Sequence, residues 1–382
     1  MAGTTGRYWR PDPPPAIAMY PVHPLQAVTH PDPYPYYAAL AREQPLYREA
    51  ALDLWVASHP DTIAAVMQHP AARVRPVTEP VPKALCGGPA GELFGRFVRM
   101  NDSPAHSQVK SLLVSYIREQ GAQACPPVWP EPGALDAAAV DHYLSAAPVH
   151  AQAAFLGLPR QLYADCATDI AGFLSALATS DRIEAGHAAA LRLHARMEAH
   201  LHAPDAAPAL RKLREDGARQ GVAPELLAAN LAGLLFQSCE AGAGLLGNAI
   251  VLAGRRGLPA DVTDDDALAL MDEVERKDPP LHNTRRFLAA DIDIGGQRIP
   301  AGQTVLLVLA AAATMQPEAH WTFGAFGHVC PGRPTARTHA ASAFAHLLRA
   351  GLDTRVLASR FRYRPLPNAR VPQFDFPEEQ TP

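Results

Sequence analysis

One cysteine in this 382-residue chain stands where its thiolate could hold a metal ion. Cys330 is followed by Pro331 and accompanied by three glycines, Gly324, Gly327 and Gly332. Glycines let a backbone approach a flat ligand closely and adopt positive φ. A proline suits the first turn of a helix, whose amide-rich end stabilises negative charge. A thiolate held in this way can ligate a haem iron and favour O–O cleavage. The alternative is an ordinary cysteine in a glycine-rich turn.

The segment around Cys330 resembles the ligand loop of the cytochrome P450 family, Phe-Gly-x-Gly-x-His-x-Cys-x-Gly, with an Ala-Arg pair on the following helix. The matching residues are Phe323, Gly324, His328, Cys330, Gly332, Ala336 and Arg337. Phe326 stands at the family's second glycine, and Gly327 follows it at once. The resemblance implies haem b as the cofactor, Cys330 as the axial ligand of its iron, and the other loop residues as the surroundings of that cofactor.

Two further stretches resemble the places where this family binds the haem propionates. His106 and Lys110 lie four residues apart, so they share one face of a helix, and they match the family's histidine and arginine. Lysine keeps the positive charge of the family's arginine but lacks its bidentate fork. Arg286 matches a second propionate-binding arginine. Without the resemblance, a histidine and a lysine on one helix are usually solvated surface residues.

A third pattern concerns a structural ion pair. Glu273 and Arg276 are three residues apart, can pair on a helix, and match the family's Glu-x-x-Arg motif. A pair of this kind on its own is more often an exposed one of little energetic value. The family has a longer segment before its ligand loop, with an arginine that joins the pair. Here only residues 314–322 intervene, and His320 could take part of that arginine's place.

An apolar run over residues 224–253 predicts a long central helix, which the resemblance places across the distal face of the haem. The family carries Asp/Glu-Thr there, and this chain has Glu240 followed by Ala241. The acid is retained, but the alcohol that helps to deliver protons is missing. We expect Glu240 to relay protons and a hydroxyl or carboxylate of the substrate to replace the alcohol. Alternatively, Glu240 caps a kink or pairs with a cation. Gly242 and Gly244 are expected to loosen this helix and leave room beside the iron.

The expected fold is mainly α with smaller β-sheets, a cytochrome P450-like domain with haem between the distal central helix and the proximal helix that follows the cysteine loop. We predict a flexible, Pro-rich N-terminus over residues 1–20 and a single haem domain over residues 21–382. The β-rich lobe covers mainly residues 45–75 and 285–313, and the remainder is helical. Within it we expect a hairpin at Ile-Asp-Ile-Gly-Gly-Gln-Arg-Ile and a buried strand from Val305 to Ala313.

Composition narrows the class of protein. The net charge of −4 comes without a basic block, so nucleic acid is not expected as a partner. The five cysteines have no metal-type spacing, and no secretory leader or membrane anchor is evident, which favours the cytoplasm. Four histidines allow a metal site as a less favoured alternative, since no Cys or acidic ligands accompany them at ligand spacing. They are His187, His194, His200 and His202.

The leading hypothesis is a soluble monooxygenase that hydroxylates a small organic molecule in specialised biosynthesis, using O₂ and electrons from an external reductase and ferredoxin. The nearest alternative keeps the haem but uses peroxide, or catalyses dehydration, isomerisation or coupling without oxygen insertion. A non-catalytic P450-like binding module is the third. Six apolar residues are expected near the substrate, although they could equally be plain core: Leu85, Leu93, Phe94, Leu235, Cys239 and Leu288.

Overall fold

The computed structural model describes residues 20–102, 104–122, 135–259 and 261–377. All but the last residue of the predicted N-terminal segment 1–20 lies outside these ranges. The helices are α1 (Pro24–Ala27), α2 (Tyr34–Glu43), α3 (Pro60–Gln68), α4 (Pro89–Gly95), α5 (Pro104–Gln120), α6 (Ala137–Phe155), α7 (Tyr163–Ala178), α8 (Ile183–Leu201), α9 (Pro208–Arg219), α10 (Pro224–Arg256), α11 (Asp264–Lys277), α12 (Leu309–Met315), α13 (Arg333–Arg349) and α14 (Thr354–Ser359). The strands are β1 (Leu46–Glu49), β2 (Leu54–Ala57), β3 (Ala72–Arg73), β4 (Thr284–Leu288), β5 (Ile292–Ile294), β6 (Gln297–Ile299), β7 (Thr304–Leu307), β8 (Arg362–Tyr363) and β9 (Pro372–Gln373).

The main sheet joins strands from two distant parts of the chain, in the order β1-β2-β7-β4-β3. The β2 and β7 strands pair in parallel and the other neighbours pair antiparallel. The predicted hairpin is present as β5 and β6 and turns at Gly295 and Gly296, whose φ values of 59° and 79° are those that a tight two-residue turn requires. The strand predicted from Val305 to Ala313 was wrong beyond Leu307, because the alanine-rich run that follows has high helix propensity and forms α12.

The centre of the molecule is α10, which packs against α6, α8, α11, α13 and α14. Pro224 lies in its first turn, and Gly257, with φ of 65°, ends it in the left-handed conformation. In the part of the chain that the structure describes, this is the one helix long and apolar enough to cross a membrane. Since 61% of its most apolar window is buried inside the fold, it behaves as a core helix.

Two other helices position the cysteine loop. The α11 helix begins with a capping box, in which Thr263 and Asp266 bond to each other's backbone N–H groups. The α13 helix packs on both α11 and α10. Pro331 was expected in its first turn, but α13 begins at Arg333 with Pro334 there instead. Cys330 therefore lies in the turn before the helix.

A buried ion pair ties the two ends of the described chain together. The Nε atom of Arg370, a residue that is 1% exposed, donates to Asp278 Oδ1 at 2.6 Å. The hydroxyls of Tyr34 and Tyr363 donate to the same carboxylate at 2.5 and 2.8 Å. The other guanidinium nitrogens of Arg370 donate to the backbone carbonyls of Val28, His30 and Pro31, near the start of the described chain. Burial raises the pKa of Asp278, but Arg370 and the two phenols outweigh it, so the pKa lies below its ordinary value.

Replacing Asp278 by asparagine is expected to lower the free energy of unfolding by about 3–5 kcal/mol, because Arg370 would stay buried without its counter-charge. Denaturant unfolding measures this loss. Asp291→Asn is the control, since it removes a carboxylate from the exposed hairpin pair with Arg298 and should have a far smaller effect. Equal losses in the two variants would contradict a structural role for the buried pair.

Candidate functional site

The cysteine loop closes on itself before α13 begins. The backbone N–H of Cys330 donates to the carbonyl of Phe323 at 2.8 Å, which makes a compact turn of the intervening residues. Gly324 opens this turn with φ of 76°, and a Cβ at that position would overlap the carbonyl of His328. Glycine is therefore required at position 324 for both conformation and space.

The thiol of Cys330 is half-buried and has one amide donor. Burial raises its pKa, while the backbone N–H of Gly332 and the positive charge of Arg99 act in the opposite direction. The pKa of Cys330 is raised overall, so without a metal ion the protonated thiol is favoured over the thiolate. Coordination to a metal would deprotonate it, as coordination does for any cysteine ligand.

Arg286 is the strongest sign that this region receives a negatively charged group. The residue is 4% exposed, and its Nη1 donates to the carbonyl of Arg285 at 2.8 Å. Its Nε is buried and has no hydrogen-bond partner among the described residues. Burial lowers the pKa of Arg286 to about 10, with Asp102 opposing and Arg99 reinforcing that shift. A buried guanidinium with an unused N–H fits an incoming carboxylate such as a haem propionate.

Two more of the predicted cofactor residues lie in the same region. Lys110, on α5, donates from Nζ to the carbonyl of Gly327 in the cysteine loop. Burial, Arg286 and Lys110 lower the pKa of His328 to about 4, so its ring is neutral near pH 7. The side chain of His106 lies outside the described residues, although its backbone belongs to α5. The structure thus brings Lys110, Arg286 and His328 close to the cysteine loop, and together with Cys330 they fit a haem.

Arg99 was not singled out from the sequence. It lies in a short 3-10 helix, Val98–Met100, just before α5, and its charge acts on Cys330 and Arg286. No motif marks an arginine at this position, and only the folded chain brings it to the site.

The predicted ion pair between Glu273 and Arg276 is not formed. Glu273 pairs instead with Arg256 of α10 and with Lys277 one turn later, and the side chain of Arg276 is exposed. The reason is the orientation of α11, which turns Glu275 inward and leaves Arg276 in solvent.

Glu275 is the buried carboxylate of this region, with a side chain that is 0% exposed. Its Oε2 accepts from Nη2 and Nε of Arg333 at 2.8 and 3.0 Å. Nε of Arg337 lies 3.3 Å from the other carboxylate oxygen, and Nδ1 of His320 lies 3.5 Å from Oε2. His320 therefore joins a cluster of a carboxylate and arginines, as expected. The carboxylate of that cluster is Glu275, whereas the sequence predicted Glu273.

The cluster reaches the cysteine loop through Arg333. This residue opens α13, three positions after Cys330, and its guanidinium carbon lies 5.7 Å from the centre of the Phe323 ring. Burial raises the pKa of Glu275, and the two arginines counteract it. One carboxylate on α11 thus holds both the start of α13 and, through the Phe323 ring, the beginning of the turn that carries the thiol.

Phe326 occupies an unfavourable backbone conformation. Its φ is 54°, whereas Gly327 after it has no positive φ. The left-handed position of the loop therefore falls where the family has glycine. A bulky residue there is strained, and the ring of Phe326 recovers little by burial because it is 47% exposed.

The central helix carries Glu240 at a position where the charge of Arg364 acts on it. The residue is half-buried, its pKa is raised by burial, and the charge of Arg364 acts against that rise. The expectation that Gly242 and Gly244 loosen the helix was wrong, because α10 is continuous there. A Cβ on Gly242 would lie 2.6 Å from Pro148 of α6, and one on Gly244 would lie 2.8 Å from Pro280. These glycines allow close packing.

The remaining predictions concern six apolar residues near the substrate and a histidine-rich metal site. All six apolar residues expected near the substrate are buried, between 0% and 8% exposed, as core residues are. Among the described residues no group of three or more His, Cys, Asp or Glu side chains could hold a metal ion, so the histidine-rich alternative has no support there.

Comparison with known proteins gives one local sequence match and many matches of fold. No family profile matches the chain. A curated protein of Bacillus subtilis (strain 168), the biotin biosynthesis cytochrome P450, is 34% identical over 110 residues, which span 25% of this chain and 28% of that protein. The solved structure of CalO2 has a TM-score of 0.67 at 20% identity, covering 89% of this chain and 94% of that one. P450BioI, in complex with an acyl carrier protein ligated to hexadec-9Z-enoic acid, has a TM-score of 0.67 at 20% identity, covering 90% and 99%.

Glu275→Gln is expected to lower the free energy of unfolding by about 3 kcal/mol, because two arginines would face a buried amide in place of a carboxylate. Glu273→Gln is the matched control two residues away. Its partners Arg256 and Lys277 are 41% and 62% exposed, so we expect a loss of at most about 1 kcal/mol. Chemical denaturation of both variants measures the difference. A larger loss for Glu273→Gln than for Glu275→Gln would indicate that Glu273 is the structural carboxylate and would contradict this assignment.

Phe326→Gly is expected to raise the free energy of unfolding by up to about 1 kcal/mol. The relief of about 1–2 kcal/mol of left-handed strain exceeds the added chain entropy of glycine. Val329→Gly, at an exposed position with φ of −56°, should be destabilising and serves as the control. Thermal unfolding distinguishes them, and a loss of stability in both variants would show that Phe326 is held by contacts that outweigh its strain.

Proposed function

We propose that this chain, which has the cytochrome P450 fold, is a haem-thiolate oxidoreductase that oxidises a small organic molecule. The predicted mainly helical fold class is confirmed by these structural matches, and the resemblance to the bacterial family is confirmed with it. The oxygen chemistry, haem b as the specific cofactor and the redox partners belong to the proposal.

The observation that carries the proposal is a buried arginine with an unused N–H, Arg286, whose charge acts on His328 in the loop that carries Cys330. Cys330 would ligate the iron, with the Gly332 amide stabilising its sulfur. Arg286 and Lys110 would bind the propionates, together with His106 if its side chain takes the place that the resemblance implies. Bound there, haem would supply activation of O₂ and transfer of oxygen.

Glu240 and Ala241 are the residues of the central helix that bear on proton delivery to the site. The half-buried carboxyl of Glu240 binds a proton more readily than a solvated one and could release it toward the site. Ala241 has no hydroxyl with which to order a water molecule. We propose that a hydroxyl or carboxylate of the substrate takes over this role.

The proposed partners are a small-molecule substrate, a ferredoxin and its reductase, acting in the cytoplasm. One structural neighbour was solved with an acyl carrier protein, and another, P450 RauA, with a biosynthetic intermediate. These neighbours support a biosynthetic role in which the substrate is presented free or on a carrier protein. Neither nucleic acid nor a membrane is part of the proposal.

A second candidate keeps the haem but dispenses with the usual electron supply. The enzyme would use peroxide, or catalyse dehydration, isomerisation or coupling without oxygen insertion. Ala241 and the short segment 314–322 favour it, because both depart from the parts of the family that deliver protons and receive electrons. Turnover with hydrogen peroxide but not with a reductase and ferredoxin would select this candidate. A non-catalytic binding module is the third, and it requires a protein without haem.

The proposal is tested by the absorption spectrum of the purified protein, reduced with dithionite under carbon monoxide. We expect a Soret band at about 450 nm for the native chain and its loss in Cys330→Ser, because a thiolate ligand to the haem iron produces that band. Cys166→Ser is the control, since Cys166 is buried between other helices and should leave the band unchanged. Native protein with no Soret band under any condition would contradict the haem-thiolate function.

A further inference from the structure

The imidazole ring of His320 lies directly against the guanidinium group of Arg333. Nη2 of Arg333 is 3.1 Å from Nδ1 and 3.0 Å from Nε2 of His320. An atom at nearly equal distances from both ring nitrogens lies over the face of the ring, because a position in the ring plane would overlap the carbon between them. The same Nη2 is 2.8 Å from Oε2 of Glu275. One arginine nitrogen therefore joins the histidine to the buried carboxylate.

The backbone of His320 is connected to the cysteine loop by two consecutive hydrogen bonds. The carbonyl of His320 accepts from the N–H of Phe323 at 2.9 Å, and the carbonyl of Phe323 accepts from the N–H of Cys330 at 2.8 Å. The φ of His320 is 49°, in the left-handed region, which a residue other than glycine keeps only where its surroundings hold it. The contacts of the His320 side chain therefore help to fix the segment from which the cysteine turn begins.

The charges of this cluster are balanced when His320 is neutral. Oε2 of Glu275 accepts from two nitrogens of Arg333 at 2.8 and 3.0 Å. Arg337 has its Nε 3.3 Å from the other oxygen of Glu275 and its Nη2 2.5 Å from Asp272. Two carboxylates thus face two guanidinium groups. Nδ1 of His320 is 3.5 Å from Oε2 of Glu275, but that oxygen already accepts both bonds from Arg333.

A proton on His320 would place a positive charge against the guanidinium of Arg333. Among the described residues, the other charged group that acts on His320 is Glu318 of its own segment, which is exposed to solvent. Burial, Arg333 and Arg337 lower the pKa of His320, while Glu318 and Asp272 oppose that shift.

The direction of this shift gives the sign of the pH dependence. The pKa of His320 lies below its ordinary value of 6.5, so the folded protein binds this proton less readily than the unfolded chain. The stability that depends on the neutral ring is therefore present above that ordinary value and is lost as the pH falls below it.

We propose that His320 is a pH-sensitive switch for the cysteine loop. The neutral ring packs on Arg333 and holds the segment before the loop, and protonation of the ring releases that segment. The switch is a property of the protein chain and operates whether or not a cofactor is bound. Its consequence for the proposed function is that mild acid loosens the turn that presents the Cys330 thiol.

The test is hydrogen exchange of the backbone amides of residues 317–330, measured by mass spectrometry between about pH 5 and about pH 8 in the native protein and in His320→Gln. Glutamine offers Arg333 an acceptor oxygen, does not titrate and meets the same left-handed backbone. Comparison at each pH removes the intrinsic pH dependence of exchange. We expect equal rates near about pH 7.5 and exchange at least about 3-fold faster in the native protein near about pH 5.5.

Two further variants support this comparison. His202→Gln, at an exposed position at the end of α8, is the control and should exchange like the native protein at every pH. His320→Asn repeats the test with a residue that tolerates the left-handed conformation, should the glutamine variant fail to fold. Glu275, whose pKa is raised by burial, shifts stability with pH in the opposite direction, but it is present in every variant.

Three results would overturn the proposal. The first is a ratio of native to variant exchange that does not change with pH. The second is slower exchange of the native protein in acid, which would show that the protonated ring pairs with Glu275. The third is faster exchange of His320→Gln at every pH, which would give His320 a purely structural role. A protein without a Soret band would contradict the haem-thiolate function and leave the exchange result unaffected.

Discussion

A carboxylate that is fully removed from water has to be balanced by positive charge, and Glu275 obtains that charge from Arg333 and Arg337 of the helix after the cysteine loop. His320, in the segment before the loop, joins the same cluster through Arg333, and burial and the charge of Arg333 lower its pKa, which favours the neutral ring. Because the carboxylate belongs to α11, the loop between these partners is clamped to a helix of the core. The position of the Cys330 thiol therefore follows from an ion pair that does not touch it.

The central helix imposes the second constraint, which is one of space. The α10 helix is covered so closely that a side chain has no room at four of its glycines, Gly242, Gly244, Gly247 and Gly254. Ser238 and Cys239 direct their polar atoms to backbone carbonyls of α6. This close packing makes the helix a rigid wall, and it leaves few side chains to contribute chemistry. Glu240 is the carboxylic acid in the segment that departs from the family pattern.

Charge is distributed unevenly around the cysteine loop. Lys110 reaches the loop from α5, Arg286 acts on it from β4, and the charge of Arg99 acts on it from the segment before α5. Among the residues that the structure describes, the acid that acts on Arg286 and His328 is Asp102. Such an arrangement is unfavourable for an empty protein and favourable for one that binds several anions. Under the proposed function, two of these cations, Lys110 and Arg286, would receive the propionates of the haem.

The sequence by itself determined the mainly helical fold, the central helix from Pro224, the hairpin at Gly295 and Gly296, and the loop that carries Cys330. These features depend on local patterns, namely apolar periodicity, turn glycines and a motif of fixed spacing, and local patterns can be recognised along a chain.

The sequence did not determine which glutamate is buried. Glu273 and Glu275 are two residues apart on one helix, and the choice between them depends on the rotation of α11 against α13, which is set by packing of the whole core. The effect of the Arg99 charge on Cys330 has the same origin. An arginine in a short connecting segment has no signal of its own, and only the tertiary structure, by fixing its neighbours to Asn230 of the central helix, brings its charge to the site. Contacts between residues far apart in the chain decided both, because burial and charge compensation are properties of the folded surroundings and are not encoded at any single position.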